Sequence, residues 1–84
     1  MKWGQVVGAN IRRFRKDRGL SQESLALSAD LDLRYLGGIE RGEHNPTVDL
    51  LGRIAEVLGK HPSTFFDESV VEEGSNLRHS SGSN

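Results

Sequence analysis

Arg34 lies between two polar clusters, Ser21-Gln22-Glu23 before it and Arg41-Gly42-Glu43-His44-Asn45 after it. This set holds most of the chemistry the sequence offers, and it is the chemistry of recognition. A guanidinium is a planar fork that donates to two acceptors at once. The amides of Gln22 and Asn45 both donate and accept. Nothing nearby supplies a nucleophile with its base. Ser21, Ser24 and Ser28 lack the base and orienting partner that activate a hydroxyl. His44, His61 and His79 are scattered, the chain has no cysteine, and no spacing fits a zinc site. There is no glycine-rich phosphate loop and no paired carboxylate. The sequence points away from an enzyme, and no cofactor, metal or small-molecule ligand is expected.

The elements that must position these residues are short helices. Ser21 is a good N-cap, because its hydroxyl can accept an orphan N–H of the first turn. Leu25 and Ala29 follow at helical spacing, so a helix is expected from Ser21 to about Ser28. Asp30 occupies the turn, at the cost of the positive φ that aspartate tolerates better than most residues. Leu31 should tuck beneath it. Asp32 can cap the next helix, which Leu36 and Ile39 give an apolar edge and Gly42 stops. That helix contains Gly37 and Gly38, each costing ~1 kcal/mol relative to alanine. Either the fold tolerates them, or a bare backbone is needed there for close approach to a ligand.

Upstream, Trp3, Val7, Ile11 and Phe14 are spaced four, four and three, lining one face of a helix from about Gln5 to Arg18. Gly19 can end it in the left-handed conformation. Downstream, Thr47 caps a fourth helix with the stripe Leu51, Ile54, Ala55 and Leu58, and Gly59 ends it. Pro62 opens a short fifth helix through Phe66. The expected core is Val7, Ile11, Phe14, Leu25, Ala29, Leu31, Leu36, Ile39, Leu51, Ile54, Ala55, Leu58 and Phe65. Residues 1–66 therefore read as one compact all-α domain of five helices. Residues 67–84, acidic and rich in Ser and Gly, read as a disordered tail.

The net charge of −1 conceals an asymmetry. Residues 1–66 carry ten Lys or Arg against eight Asp or Glu, while residues 67–84 carry one against four. The first twenty residues hold six basic side chains against Asp17. Such a distribution permits an anionic partner better than the total suggests. No apolar run approaches the ~18 residues of a membrane span, and no signal-peptide core opens the chain. The expectation is a cytoplasmic protein without a membrane partner.

The pattern Ser21-Gln22-Glu23, Leu25-Ala26, Ala29, Tyr35, Ile39-Glu40-Arg41-Gly42 and Asn45-Pro46 resembles the Cro and phage-repressor type of helix-turn-helix, the Xre family. The resemblance implies a lambda-repressor-like fold whose second motif helix enters the major groove of double-stranded DNA. It assigns base reading to Leu33, Arg34 and Gly38. Arg34 can bond O6 and N7 of guanine, or rest on a phosphate. Leu33 meets a thymine methyl or closes the edge of the turn. Gly38 has no side chain to read with. Gln22, Tyr35, Arg41 and Asn45 are the implied backbone contacts, and Tyr35 could equally pack against the preceding helix. Arg12, Arg13 and Arg53 are weaker candidates, and Glu43 should turn away from phosphate. Arg15 and Glu40 are implied to form a buried ion pair that holds the recognition helix without touching bases.

The function expected from these residues is sequence-specific DNA binding by a transcriptional regulator, repressor-like, acting as a homodimer on a pseudo-palindromic site. Phe66 and Val70 are the expected dimer residues, with Phe66 alternatively in the core. The competing reading is a protein-interaction module that keeps the fold without reading DNA. The near-neutral charge, the two glycines and Asp30 favour that reading. Gln22, Arg34 and the segment from Arg41 to Asn45 favour DNA.

Overall fold

Four short helices and a 3-10 helix pack around one small core in the computed structural model, which describes residues 2–69. Helix α1 spans Trp3–Asp17, α2 Gln22–Ser28, α3 Leu33–Glu40 and α4 Val48–Leu58. The fifth helix is a five-residue 3-10 turn, Pro62–Phe66, a length that suits i→i+3 bonding. Val70, and all of the expected tail beyond Ser69, lie outside the described residues.

The ends of the helices follow from local chemistry. The Ser21 hydroxyl accepts from the Ser24 N–H at 3.0 Å, the Asp32 carboxylate from Tyr35 N–H at 3.1 Å, and Thr47 Oγ1 from Leu50 N–H at 3.1 Å. Gly19 and Gly59 stop α1 and α4 at φ 70° and 67°. Asp30 has φ 58° and is the one non-glycine residue with positive φ among the described residues. Helix α1 begins at Trp3, two residues before the expected start near Gln5 and in line with the first residue of its apolar stripe.

The core holds Val7, Ile11, Phe14, Leu25, Ala29, Leu36, Ile39, Leu51, Ile54, Ala55, Leu58 and Phe65, joined by Val6, Ala26 and Leu50. Leu31 sits half-buried at its edge rather than inside it. Trp3, read as part of the inner face of α1, is 49% exposed, because the first turn of that helix overhangs the core. Its ring instead rests beside Phe66, with centroids 5.9 Å apart.

Three polar side chains tie the elements together across long stretches of sequence. The Asn10 amide, fully buried, donates to the carbonyls of Phe65 at 2.8 Å and Asp67 at 2.9 Å, fixing the 3-10 helix against α1. Arg53 donates to the carbonyls of Ala29 and Asp30, each at 3.0 Å, and so pins the α2–α3 turn to α4. Arg18 donates to Leu58 O at 3.2 Å, satisfying a terminal carbonyl of α4. Arg53 is thereby drawn to the turn and away from the role of a phosphate contact.

The left-handed conformation at position 30 is strained for any residue with a Cβ. Replacing Asp30 by glycine should stabilise the protein by about 0.5–1 kcal/mol, read as a rise of a few degrees in melting temperature. A lower melting temperature would mean that the Asp30 side chain contributes more than its backbone strain costs.

Candidate nucleic-acid interface

Helix α3 is held against α1 by a buried ion pair and a bare stretch of backbone. Arg15 Nε donates to Glu40 Oε2 at 2.8 Å and Nη2 to Oε1 at 3.0 Å, a bidentate pair whose side chains are 10% and 2% exposed. Nη1 of the same guanidinium donates to Leu20 O at 2.9 Å. Gln22 Nε2 donates to Glu40 Oε1 at 3.0 Å. Helices α1, α2 and α3 thus meet at one carboxylate. Gly8 lets the helices meet at that point. A Cβ there would collide with Ile39 O and stand 2.8 Å from Glu40 O.

With its inner face fixed, α3 turns Leu33 and Arg34 outward. Leu33 is 40% exposed and Arg34 is exposed. Tyr35 is half-buried, its ring 4.8 Å from that of His44. Gly38 is buried, because the His44 ring lies over it. Its bare position is occupied by that ring. Gln22 stands beside the same face at the start of α2, half-buried, with its amide NH₂ engaged by Glu40. Asn45 is exposed beyond the end of α3.

Arg41 is not free. Its guanidinium makes a bidentate bridge to Glu43 at 2.9 and 3.1 Å, and both side chains are exposed. Glu43 holds the cation. The hydrogen bond from Arg41 lowers the Glu43 pKa, and its charge adds to the effect. The pair is therefore intact at neutral pH and opens only as pH falls through that depressed value. An exposed pair of this kind is weak, so a phosphate can take Arg41 from it. Between α2 and α3 an open depression is lined by Arg12, Gln22, Leu33 and Arg41, with the Arg15–Glu40 pair on its inner side. Phe66 lies elsewhere, 44% exposed beside Trp3.

The sequence pattern did not reveal Gly8, Asn10, the Arg53 clamp or the placing of His44 on Gly38. A glycine and an asparagine at helix-facing positions of α1 were the available signals for the first two. Among the described residues no three His, Cys, Asp or Glu side chains are grouped to hold a metal.

A short α2, a tight turn and an α3 with an outward polar end define a helix-turn-helix domain. The helix-turn-helix family model matches residues 11–65. The chain is 39% identical over 59 residues to the uncharacterized HTH-type transcriptional regulator y4dJ of Sinorhizobium fredii, covering 70% of this chain and 77% of that protein. It is 34% identical over 67 residues to control protein C.BamHI of Bacillus amyloliquefaciens, covering 79% and 83% of the two chains. The crystal structure of the restriction-modification controller protein C.AhdI from Aeromonas hydrophila matches with a TM-score of 0.72 at 36% identity, covering 75% of this chain and 96% of that one. The chain belongs to the Xre family of helix-turn-helix regulators, a family of DNA-binding proteins and not of enzymes.

Truncating one partner of a buried ion pair strands the other charge. Arg15→Ala should therefore destabilise the protein by about 3–5 kcal/mol. Joint replacement of Arg15 and Glu40 by apolar residues of similar volume should cost less than the two single losses added together. Denaturant melts check both, and an Arg15→Ala protein as stable as the parent would contradict a structural role for the pair.

Proposed function

We propose that the protein is a sequence-specific transcriptional regulator that binds double-stranded DNA as a homodimer on a pseudo-palindromic site, in the cytoplasm. The observation that carries this reading is the exposed start of α3, where Arg34 and Leu33 project while the inner face is locked to α1. Arg34 is proposed to read guanine through its paired donors, with Leu33 against a neighbouring thymine methyl. Gln22, Tyr35, Arg41 and Asn45 flank these two and are proposed to hold the sugar-phosphate backbone. Gln22 retains its carbonyl oxygen and backbone N–H for that task, and Arg41 exchanges Glu43 for a phosphate on binding. The basic residues of α1 add favourable charge nearby. No helix among the described residues is long and apolar enough to cross a membrane.

The dimer rests on two arguments. A single small module buries too little surface for tight specific binding, and two copies on half-sites one helical turn apart remedy that. The patch of Trp3 and Phe66, bordered by Pro46, is the apolar surface proposed for the contact. Val70 is proposed to extend it.

Binding sites selected from random duplexes, followed by salt-dependent affinity measurements, test the reading. Each neutralised phosphate should contribute a slope near −0.9 in log K against log salt. Arg34→Ala should cost about 1–3 kcal/mol at the selected site and relax preference at one base pair per half-site. Gln22→Ala should weaken all duplexes alike. Failure of the folded parent to bind any duplex at low salt would overturn the proposal, and an Arg34→Ala variant with unchanged preference would remove base reading from that residue.

A further inference from the structure

Successive residues of an α-helix are turned by about 100°, which sets Leu33, Arg34, Gly37, Gly38 and Arg41 on one arc of α3. Leu36 and Ile39 face the other way, into the protein, and Glu40 at the edge of the arc is buried against Arg15. Two of the five outward positions thus carry no side chain, yet both glycines are buried. Gly37 is covered by the helix's own next turn, with Arg41 Nη1 3.2 Å from the place of a Cβ. Gly38 is covered from outside the helix. Cδ2 and Nε2 of the His44 ring occupy the space that a Cβ on Gly38 would need.

The backbone holds the ring there. Gly42 adopts φ 80° and reverses the chain at the end of α3. Its N–H donates to Ile39 O, and the next N–H, of Glu43, donates to Gly38 O, both at 2.9 Å. Residue 44 is thereby returned over the helix it has just left. A Cβ on Gly42 would stand 2.7 Å from Gln5 Cγ, so the reversal is also closed from behind. The Tyr35 ring, 35° from parallel, lies 4.8 Å from the imidazole, centroid to centroid. His44 nevertheless remains exposed. The histidine ring hydrogen bonds among the described residues belong to His61. With the Cδ2–Nε2 edge of His44 laid on Gly38, Nδ1 is the nitrogen on the edge away from the helix and the one available to a ligand.

We propose that His44, carried by the loop after α3, supplies the side chain that Gly38 lacks on the outward arc and reads a base-edge acceptor in the major groove. The inference rests on the DNA-binding reading above. Gly38 lies one turn beyond Arg34, so the imidazole stands next to the guanidinium along the groove-facing side. An imidazole N–H donates to N7 or O6 of a purine there. The glycine is then a requirement of specificity, because only a residue without a Cβ leaves room for the ring.

Sites selected from random duplexes by the parent, His44→Ala, His44→Phe and Gly38→Ala test this, with thermal melts to establish that each is folded. His44→Ala should weaken the selected site about 10-fold and erase preference at one base pair per half-site, a different pair from that of Arg34. Random duplexes should be affected by less than about 2-fold. Gly38→Ala evicts the ring and should reproduce that loss, and the double variant should be no weaker than either, since residues acting as one unit do not add. His44→Phe restores bulk and stacking without the donor and should stay unselective. Retained preference in His44→Ala or His44→Phe, or an equal loss on every duplex, would overturn the inference while leaving DNA binding intact. A folded parent that selects no duplex would overturn both readings.

Discussion

The bond between Arg15 and Glu40 is the constraint from which the rest of the molecule follows. Two buried charges cost several kcal/mol each to desolvate unless their partners are close and complete. Here the guanidinium faces a carboxylate with two nitrogens and a backbone carbonyl with a third. The carboxylate takes a further bond from Gln22. Such a set is satisfied in one arrangement of α1, α2 and α3. Apolar contacts alone are less exacting, because hydrophobic attraction has no direction. The polar junction therefore sets the angle at which α3 leaves the core, and with it the direction of Leu33 and Arg34.

Glycine does the complementary work. Gly8 brings the α1 backbone onto the last turn of α3, and Gly42 turns the chain back against Gln5. Both are places where a single methyl group would meet backbone or neighbouring chain, and overpacking of that kind forces backbone shifts. The helices can be short and the core small because the contacts between them are close. Exposed side chains are left to the outward arc of α3, the start of α2 and the loop from Arg41 to Asn45. Gln22, Leu33 and Arg41 line one open depression, while Asn45 lines a second one with Trp3 and Phe66.

The local devices were legible in the sequence. Ser21, Asp32 and Thr47 cap the helices that their positions indicate, and Gly19 and Gly59 end the two that they follow. Asp30 takes the positive φ that the turn requires. Twelve of the thirteen residues read as core from their spacing are buried, with Leu31 at the edge. What stayed hidden depends on partners far along the chain. Asn10 meets Phe65, and Arg53 meets Ala29. Periodicity within one helix carries no trace of such pairs. Trp3 misled for a related reason: the spacing of its face is right, but the core ends before its turn of helix. Gly38 looked like open backbone because the residue that covers it arrives from a loop with no periodic signal.

The central claim is that the outward side of α3, set by the junction with α1, is the surface that meets DNA. Backbone amide shifts of the labelled protein, recorded while a selected duplex is added, test it most directly. The account predicts changes concentrated at Gln22, Leu33–Tyr35 and Arg41–Asn45, with the resonances of Arg15 and Glu40 still marking an intact pair. Changes centred instead on Trp3 and Phe66, with α3 unaffected, would contradict it.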